Sequence, residues 1–207
     1  MSEYLLHCFG ESGNSYKAAL MLELSGCDWS PRFVPFFEGA TRTAEWRSAI
    51  NSMGEAPVLV HGPRVLTQSG VILDYLAETT GKFAGRDADE KREIWRWILF
   101  DNHKFTSYFA TLRFMVAMKK MPESPVTEFL RDRVVDAYKV VEKQLTVTDW
   151  LTGDRPTIAD LSLAGYVFYD EDVGLDRWDL FPAIDAWRER LKALPGWKGP
   201  WDLMPVE

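Results

Sequence analysis

The sequence predicts a small α/β domain with the element order βαβαββα, followed by a domain built only of helices. Short apolar runs alternate with helical repeats over residues 1–81, whereas only helical spacing occurs from about residue 90 onward. The length of 207 residues is enough for two small domains, and a 46% share of hydrophobic residues can supply a core for each of them.

The first domain, residues 1–81, is predicted from strand and helix signals that follow one another closely. Strands are expected where short apolar runs end at turn residues, and helices where apolar residues recur every three or four positions. The expected elements are a strand over 4–9, a helix over 15–25 stopped by Gly26, a strand over 32–37, a helix over 43–50, paired antiparallel strands over 57–60 and 64–66, and a helix from 71 onward. This order is the thioredoxin-like arrangement.

A polar segment without periodicity, residues 82–89, is the predicted linker to a helical domain over 90–207. Thr157 and Asp160 have the spacing of a helix-capping box, and Pro182 suits the first position of a helix. The first long helix should bury one apolar face, formed by Trp95, Ile98, Leu99, Asn102, Phe105, Phe109, Leu112 and Val116.

Residues 54–71 are the most informative stretch. Pro57 stands at the start of an apolar strand, a position where a residue without a backbone N–H is tolerated. It predicts a special turn that can hold a cis peptide bond. Gln68 and Ser69 stand where the following helix begins, and the N–H groups and dipole of a helix N-terminus attract a carboxylate. We therefore expect a site for a small, extended, peptide-like anion.

These motifs resemble those of the cytosolic glutathione transferase superfamily, and the resemblance extends over essentially the whole chain. It implies that glutathione is the co-substrate. The main chain of Ala56, before Pro57, would pair with the cysteinyl part, and Gln68 with Ser69 would grip the γ-glutamyl end. The family pattern Leu-x-x-Ser-x-x-Ile-x-x-Tyr-Leu is matched by Leu66, Ser69, Ile72, Tyr75 and Leu76.

The loop between the first strand and the first helix carries the candidate catalytic residues. The resemblance implies that the Ser12 hydroxyl activates the glutathione thiol, with Asn14 as a second candidate donor. The free thiol has a pKa of about 8.5, and a hydrogen bond donated to its sulfur favours the nucleophilic thiolate. Ser12 would therefore be a donor and not a nucleophile. Ser15 is the expected cap of the helix, with Asn14 as its rival.

The chain departs from the family pattern at the glycyl end of the expected site. Several classes place a lysine before the x-Pro pair, where this chain has Glu55, and the Asn-Pro that commonly precedes is Asn51-Ser52. Arg42 or Arg47 would have to hold the glycyl carboxylate. Asp101 could reach the γ-glutamyl ammonium of a partner subunit, although a solvated helix face is the simpler interpretation.

Composition excludes several classes of protein. A net charge of −7 argues against nucleic acid as a partner, since phosphate binding needs a basic face. The sequence has no run long enough to span a membrane and no signal-peptide pattern at residues 1–6, and its two cysteines make no disulfide framework. We therefore expect a cytoplasmic protein. Three scattered histidines match no metal site, so no metal is expected.

The resemblance thus predicts a homodimeric glutathione transferase acting in detoxification, which attacks electrophilic or peroxide substrates with the thiolate of glutathione. One alternative is a glutathione-dependent isomerase or dehalogenase on the same fold, and another is a non-catalytic binding module. Four aromatic residues of the helical domain are expected to be mostly core, with some of them forming an apolar electrophile site toward the cleft between domains: Phe105, Tyr108, Phe109 and Phe114.

Overall fold

The computed structural model describes residues 2–169, 173–175 and 178–206, which form two compact units. The first unit contains residues 1–82 and 194–207, and the second contains residues 83–193. Here the structure differs from the predicted boundaries, which assigned 194–207 to the helical domain. The last residues join the first unit because the Gly10 N–H donates to the Pro205 carbonyl at 2.8 Å and the Tyr16 hydroxyl donates to the Lys198 carbonyl at 2.8 Å.

A four-stranded sheet forms one layer of the first unit. Its strands are β1 (Tyr4–Cys8), β2 (Trp29–Phe33), β3 (Val58–His61) and β4 (Arg64–Thr67), in the spatial order β2-β1-β3-β4. β1 runs parallel to β2 and antiparallel to β3, and β3 is antiparallel to β4. The prediction of a strand over 32–37 was wrong by several residues, because the pairing with β1 begins at Trp29 and ends at Phe33.

Three helices complete the predicted order βαβαββα in the first unit. They are α1 (Gly13–Ser25), α2 (Ala44–Ala49) and α3 (Ser69–Thr80). α1 is buried along most of its length, as its run of apolar residues requires, and it packs against α3. Gly26 ends α1 with a φ of 68°, a left-handed conformation that glycine adopts without steric cost. A last helical turn, Pro200–Leu203, also packs against α1.

The second unit is helical throughout its described elements. They are α4 (Ala88–Phe100), α5 (Thr106–Arg113), α6 (Pro125–Leu145), α7 (Ile158–Leu163) and α8 (Pro182–Lys192). α4 begins within the predicted linker, because the Asp87 side chain caps it by accepting from the N–H groups of Asp89 and Glu90. The predicted helix start at Pro182 is confirmed.

The long helix predicted after the linker contains two π-helical turns, at Asp101–Phe105 and Phe114–Met118. Four of the eight residues of the predicted apolar face are buried, and Trp95 and Val116 are half-buried. Leu99 is 61% exposed and Asn102 is also exposed, so their assignment to that face was wrong. Each π turn inserts an extra residue into the helical repeat and rotates the positions around the axis. Leu99 lies before the first π turn, in α4, and is exposed because the buried side of that helix is formed by Ile94, Trp97 and Ile98.

The predicted capping box at α7 is confirmed. The Thr157 side chain accepts from the α7 backbone, and the Asp160 carboxylate accepts from the Thr157 N–H at 2.9 Å. The same carboxylate accepts from the Leu151 N–H and from the Trp187 indole N–H, both at 3.0 Å. One buried side chain therefore joins the start of α7, the preceding loop and α8.

Candidate functional site

Ser12 lies at the N-terminus of α1, immediately after the turn that leaves β1. It is the N-cap of that helix, because its Oγ accepts a hydrogen bond of 3.1 Å from the Ser15 N–H. The prediction that Ser15 or Asn14 caps α1 was therefore wrong. Ser15 lies within the helix as a buried residue, and its Oγ has no hydrogen-bond partner among the described residues.

The neighbourhood of Ser12 is held by the carboxyl-terminal residues of the chain. A Cβ placed on Gly10 would approach Val206 Cγ1 to 2.6 Å, so a larger residue there would require the Val206 side chain to shift. The Tyr16 hydroxyl bonds to the Lys198 carbonyl, and the Lys198 ammonium lies 2.7 Å from Glu23. Sequence reasoning missed this support, because no local pattern links residues so distant along the chain.

The N-termini of α1 and α3 are joined by a side-chain contact. Ser69 Oγ donates to Asn14 Oδ1 at 3.4 Å, the long end of the hydrogen-bond range. Ser69 is buried and Asn14 is half-buried. The structure thus brings together Asn14 and Ser69, two of the predicted site residues. Because the hydrogen bond between them is long, Ser69 can exchange it for a hydrogen bond to a ligand.

Ala56 and Pro57 are joined by a cis peptide bond at the entrance to β3. The loop before them is built around Asn51, whose side chain donates to the Glu55 carbonyl at 2.9 Å and accepts from the Met53 N–H at 3.0 Å. Gly54 within this loop has a φ of 72°, in the left-handed region that favours glycine. Asn51 therefore helps to shape this loop, which lacks the proline common in the family.

Gln68 precedes α3 in an unusual backbone conformation, with a φ of 67°. A residue other than glycine pays about 1–3 kcal/mol for such a conformation and keeps it only where neighbouring contacts hold it. The Gln68 amide nitrogen donates to Glu55 Oε2 at 2.8 Å and lies 3.2 Å from Met53 Sδ. Gln68 and Glu55 thus form an exposed pair beside the N-terminus of α3.

The three other charged residues considered for ligand binding have different environments. Arg47 donates to the Ser52 carbonyl at 3.1 Å and lies against Gly54, so it is next to the loop before Ala56. Arg42 is exposed at the end of a helical turn, Ala40–Arg42. Asp101 is fully buried in the second unit, so its interpretation as a solvated residue was wrong. Its two oxygens accept from Thr106 and Ser162, each at 2.6 Å.

The two cysteines are free thiols and do not suggest a redox pair. Burial raises the pKa of the Cys8 thiol to about 12, so this thiol stays protonated and unreactive. Among the residues that the structure describes, no group of three or more histidine, cysteine or acidic side chains is arranged to hold a metal ion. Within the same described ranges, no helix combines the length and apolar character needed to cross a membrane.

Family models match both parts of the chain. The model for the N-terminal domain of glutathione S-transferase matches residues 4–78, and the model for its C-terminal domain matches residues 106–195. Among curated proteins, glutathione S-transferase F14 of Arabidopsis thaliana is 27% identical, over 95% of this chain and 82% of its own length. The disulfide-bond oxidoreductase YfcG of Escherichia coli is 26% identical, over 90% of this chain and 89% of its own.

Solved structures agree with this assignment. The glutathione S-transferase from Pseudomonas fluorescens Pf-5 superposes with a TM-score of 0.90 at 30% identity, and the match covers 97% of this chain and all of that one. A possible glutathione S-transferase from Rhodopseudomonas palustris gives a TM-score of 0.91 at 30% identity, over 99% of this chain and 100% of the other. Sequence motifs, fold and relatives converge, and the chain belongs to the cytosolic glutathione transferase superfamily.

Proposed function

We propose that this protein is a glutathione transferase that binds glutathione along Ala56, Gln68 and Ser69 and activates its thiol beside Ser12. The observation that carries the proposal is the position of Ser12 as the N-cap of α1. Its oxygen accepts the Ser15 N–H through a lone pair, which leaves the hydroxyl hydrogen to be donated to a sulfur anion. The contact between Asn14 and Ser69 supports a single site formed by the two helix N-termini.

The chemical step uses these residues to stabilise charge and to position the reactants. The glutathione thiol loses its proton to solvent, and the thiolate is stabilised by the Ser12 hydroxyl and by the positive end of the α1 dipole. The sulfur electron pair then forms a bond to an electrophilic carbon, whose leaving group departs with its own electron pair. With a peroxide, the sulfur forms a bond to one oxygen as the O–O bond breaks, and the other oxygen departs with the electron pair and takes a proton from solvent. The sulfenic acid so formed condenses with a second glutathione to give the disulfide and water. Binding both reactants in one site lowers the entropic part of the barrier.

We further propose that the protein acts as a homodimer in the cytoplasm and contributes to detoxification. The free thiols of Cys8 and Cys27 suit a reducing compartment. Apolar side chains exposed on each unit provide surface that a second copy could cover, among them Val65 and Val71 on the first and Leu99 on the second. The curated relatives named glutathione S-transferase support the class of reaction.

Calorimetric titration with glutathione tests the proposed binding site through Ser69. We expect Ser69→Ala to weaken binding by about 1 kcal/mol, or roughly fivefold in the dissociation constant, because a hydrogen bond to the ligand carboxylate is lost. Ser25→Ala, at the opposite end of α1, is the matched control and should bind as the parent does. Absence of glutathione binding to the parent would contradict the proposed function, and equal affinities for parent and Ser69→Ala would remove Ser69 from the site.

A further inference from the structure

Helix α6 presents apolar side chains to solvent as well as to the core of its unit. Its buried side packs against α5 and α8. Next to that side lies an exposed line of six residues, which we call the α6 seam: Val126, Phe129, Arg133, Asp136, Val140 and Lys143. Val126, Phe129 and Val140 are 55%, 51% and 46% exposed, so the apolar members of this line have surface left to bury.

The spacing of the α6 seam is that of a coiled coil. Its members are separated by three, four, three, four and three residues. Alternating intervals of three and four form the 3.5-residue repeat that keeps one line of side chains facing a second helix. The series of intervals reads the same in both directions. The α6 seam can therefore face a copy of itself that runs antiparallel to it.

The charges at the centre of the α6 seam favour that antiparallel arrangement. With the two-fold axis midway between positions 133 and 136, Arg133 of each copy faces Asp136 of the other, and Phe129 faces Val140. A parallel pair would instead place Arg133 against Arg133 and Asp136 against Asp136. Because polar and charged positions in such a repeat set orientation and register, the sequence selects the antiparallel contact.

Both central charges have bonding capacity left. The Arg133 guanidinium lies over the Phe129 ring, 5.0 Å from its centroid, and makes no ion pair among the residues that the structure describes. Asp136 accepts from the Lys139 ammonium at 2.9 Å through Oδ1, which leaves Oδ2 for a second donor. A guanidinium presents several N–H donors to a carboxylate, so Arg133 of one copy and Asp136 of another suit each other.

The edges of the contact are complementary as well. Val126 faces the hydrocarbon part of Lys143, whose ammonium remains in water. Asp132 and Lys139, both exposed beside the α6 seam, also face each other across the antiparallel pair. Opposite charges or apolar groups therefore meet at each layer from residue 126 to residue 143.

We propose that the α6 seam is a self-association surface that binds the α6 seam of a second copy in antiparallel orientation. It is separate from Val65, Val71 and Leu99, the residues invoked for the homodimer, so it joins dimers into larger assemblies. The contact is one helix pair about 26 Å long, at 1.5 Å per residue, and such small interfaces are weak. We expect association above roughly 10 µM.

Sedimentation equilibrium over a range of about 1 to 500 µM tests the proposal. The mass of the parent at the highest concentration should be at least twice its mass at the lowest. Arg133→Glu and Asp136→Arg each bring like charges together and should keep the lower mass throughout. An equimolar mixture of these two variants restores both ion pairs, as does the double variant, so the mixture and the double variant should both associate as the parent does.

Two further variants complete the test. Glu128→Arg makes the same change of net charge as Asp136→Arg, on the same helix but outside the α6 seam, and should associate as the parent does. Phe129→Ser removes an apolar layer without changing the charge and should weaken association by about tenfold or more. Circular dichroism identifies any charge variant that fails to fold, and Phe129→Ser then carries the test.

Several outcomes would overturn the proposal. A constant mass of the parent across the range would exclude self-association. Unchanged association of Arg133→Glu and Asp136→Arg, or of Phe129→Ser, would place the contact elsewhere. Loss of association in Glu128→Arg would make the effect one of net charge alone, and failure of both the mixture and the double variant to associate would exclude the antiparallel pairing. None of these results bears on glutathione binding, so the proposed function would stand.

Discussion

At the scale of single residues, the proposal gives one hydroxyl both a structural and a chemical role. Ser12 accepts the Ser15 N–H at the start of α1, and we propose that it donates its hydrogen to the thiolate. Its loss therefore removes a helix cap, at a cost of about 1 kcal/mol in stability, as well as a donor to sulfur. Ser15 offers a matched comparison three residues away, because its buried hydroxyl has no hydrogen-bond partner among the described residues.

The candidate site residues have local signals in the sequence, but the contacts that join them do not. Pro57 and the Gln68-Ser69 pair have local signals, namely a proline at a strand entrance and polar residues before a helix. The pairs Gln68–Glu55 and Ser69–Asn14 join residues 13 and 55 positions apart, which no periodicity indicates. The cap of α1 was assigned to the wrong serine because Ser12 and Ser15 are both good capping residues.

At the scale of elements, the helix starts of the second unit that carry strong local signals were predicted well, and changes of helical register were not. Thr157, Asp160 and Pro182 mark helix starts through their own chemistry, so they are found from sequence alone. The π turn at Asp101–Phe105 is stabilised by two hydrogen bonds to Asp101, one from the Thr106 hydroxyl at the start of α5 and one from Ser162 in α7. A tertiary contact of that kind leaves no trace in the apolar repeat.

The α7 capping box predicts a dependence of stability on pH. Burial raises the pKa of Asp160 to about 6, although the N–H groups of Leu151, Thr157 and Trp187 oppose the rise. Between pH 4 and 6 the folded protein holds a proton that the unfolded chain has released, so the free energy of unfolding falls as pH increases. Two pKa units correspond to about 3 kcal/mol of lost stability.

Urea unfolding from pH 4 to pH 7 measures this dependence against Asp160→Asn, which cannot titrate at that position. The stability of the parent relative to Asp160→Asn should decrease across the interval and level off near pH 7. Parallel pH profiles for the two proteins would show that Asp160 has the same pKa in the folded and unfolded states.

At the scale of the whole molecule, the exposed apolar residues predict a dimer. Val65 and Val71 on the first unit are 53% and 45% exposed, and Leu99 on the second is 61% exposed. Two-fold homodimers are the commonest oligomers, and burying such side chains contributes about 25 cal/mol per Å². Sedimentation equilibrium at micromolar concentration should give twice the chain mass of 23.8 kDa. A mass of one chain at that concentration would contradict the proposal.

The most direct test of the central claim is the thiolate absorbance of bound glutathione as a function of pH. In Ser12→Ala the pKa of the bound thiol should rise by roughly one to two units, since a hydrogen bond to a charged group is worth about 1.5–3 kcal/mol. Turnover with an aromatic electrophile near neutral pH should fall by about ten- to a hundredfold. Ser15→Ala should leave the pKa of the bound thiol and the turnover unchanged. Asn14→Ala measures how much the neighbouring amide contributes to stabilising the thiolate. A titration curve of Ser12→Ala that overlays that of the parent would contradict the role of Ser12 in activating the thiol.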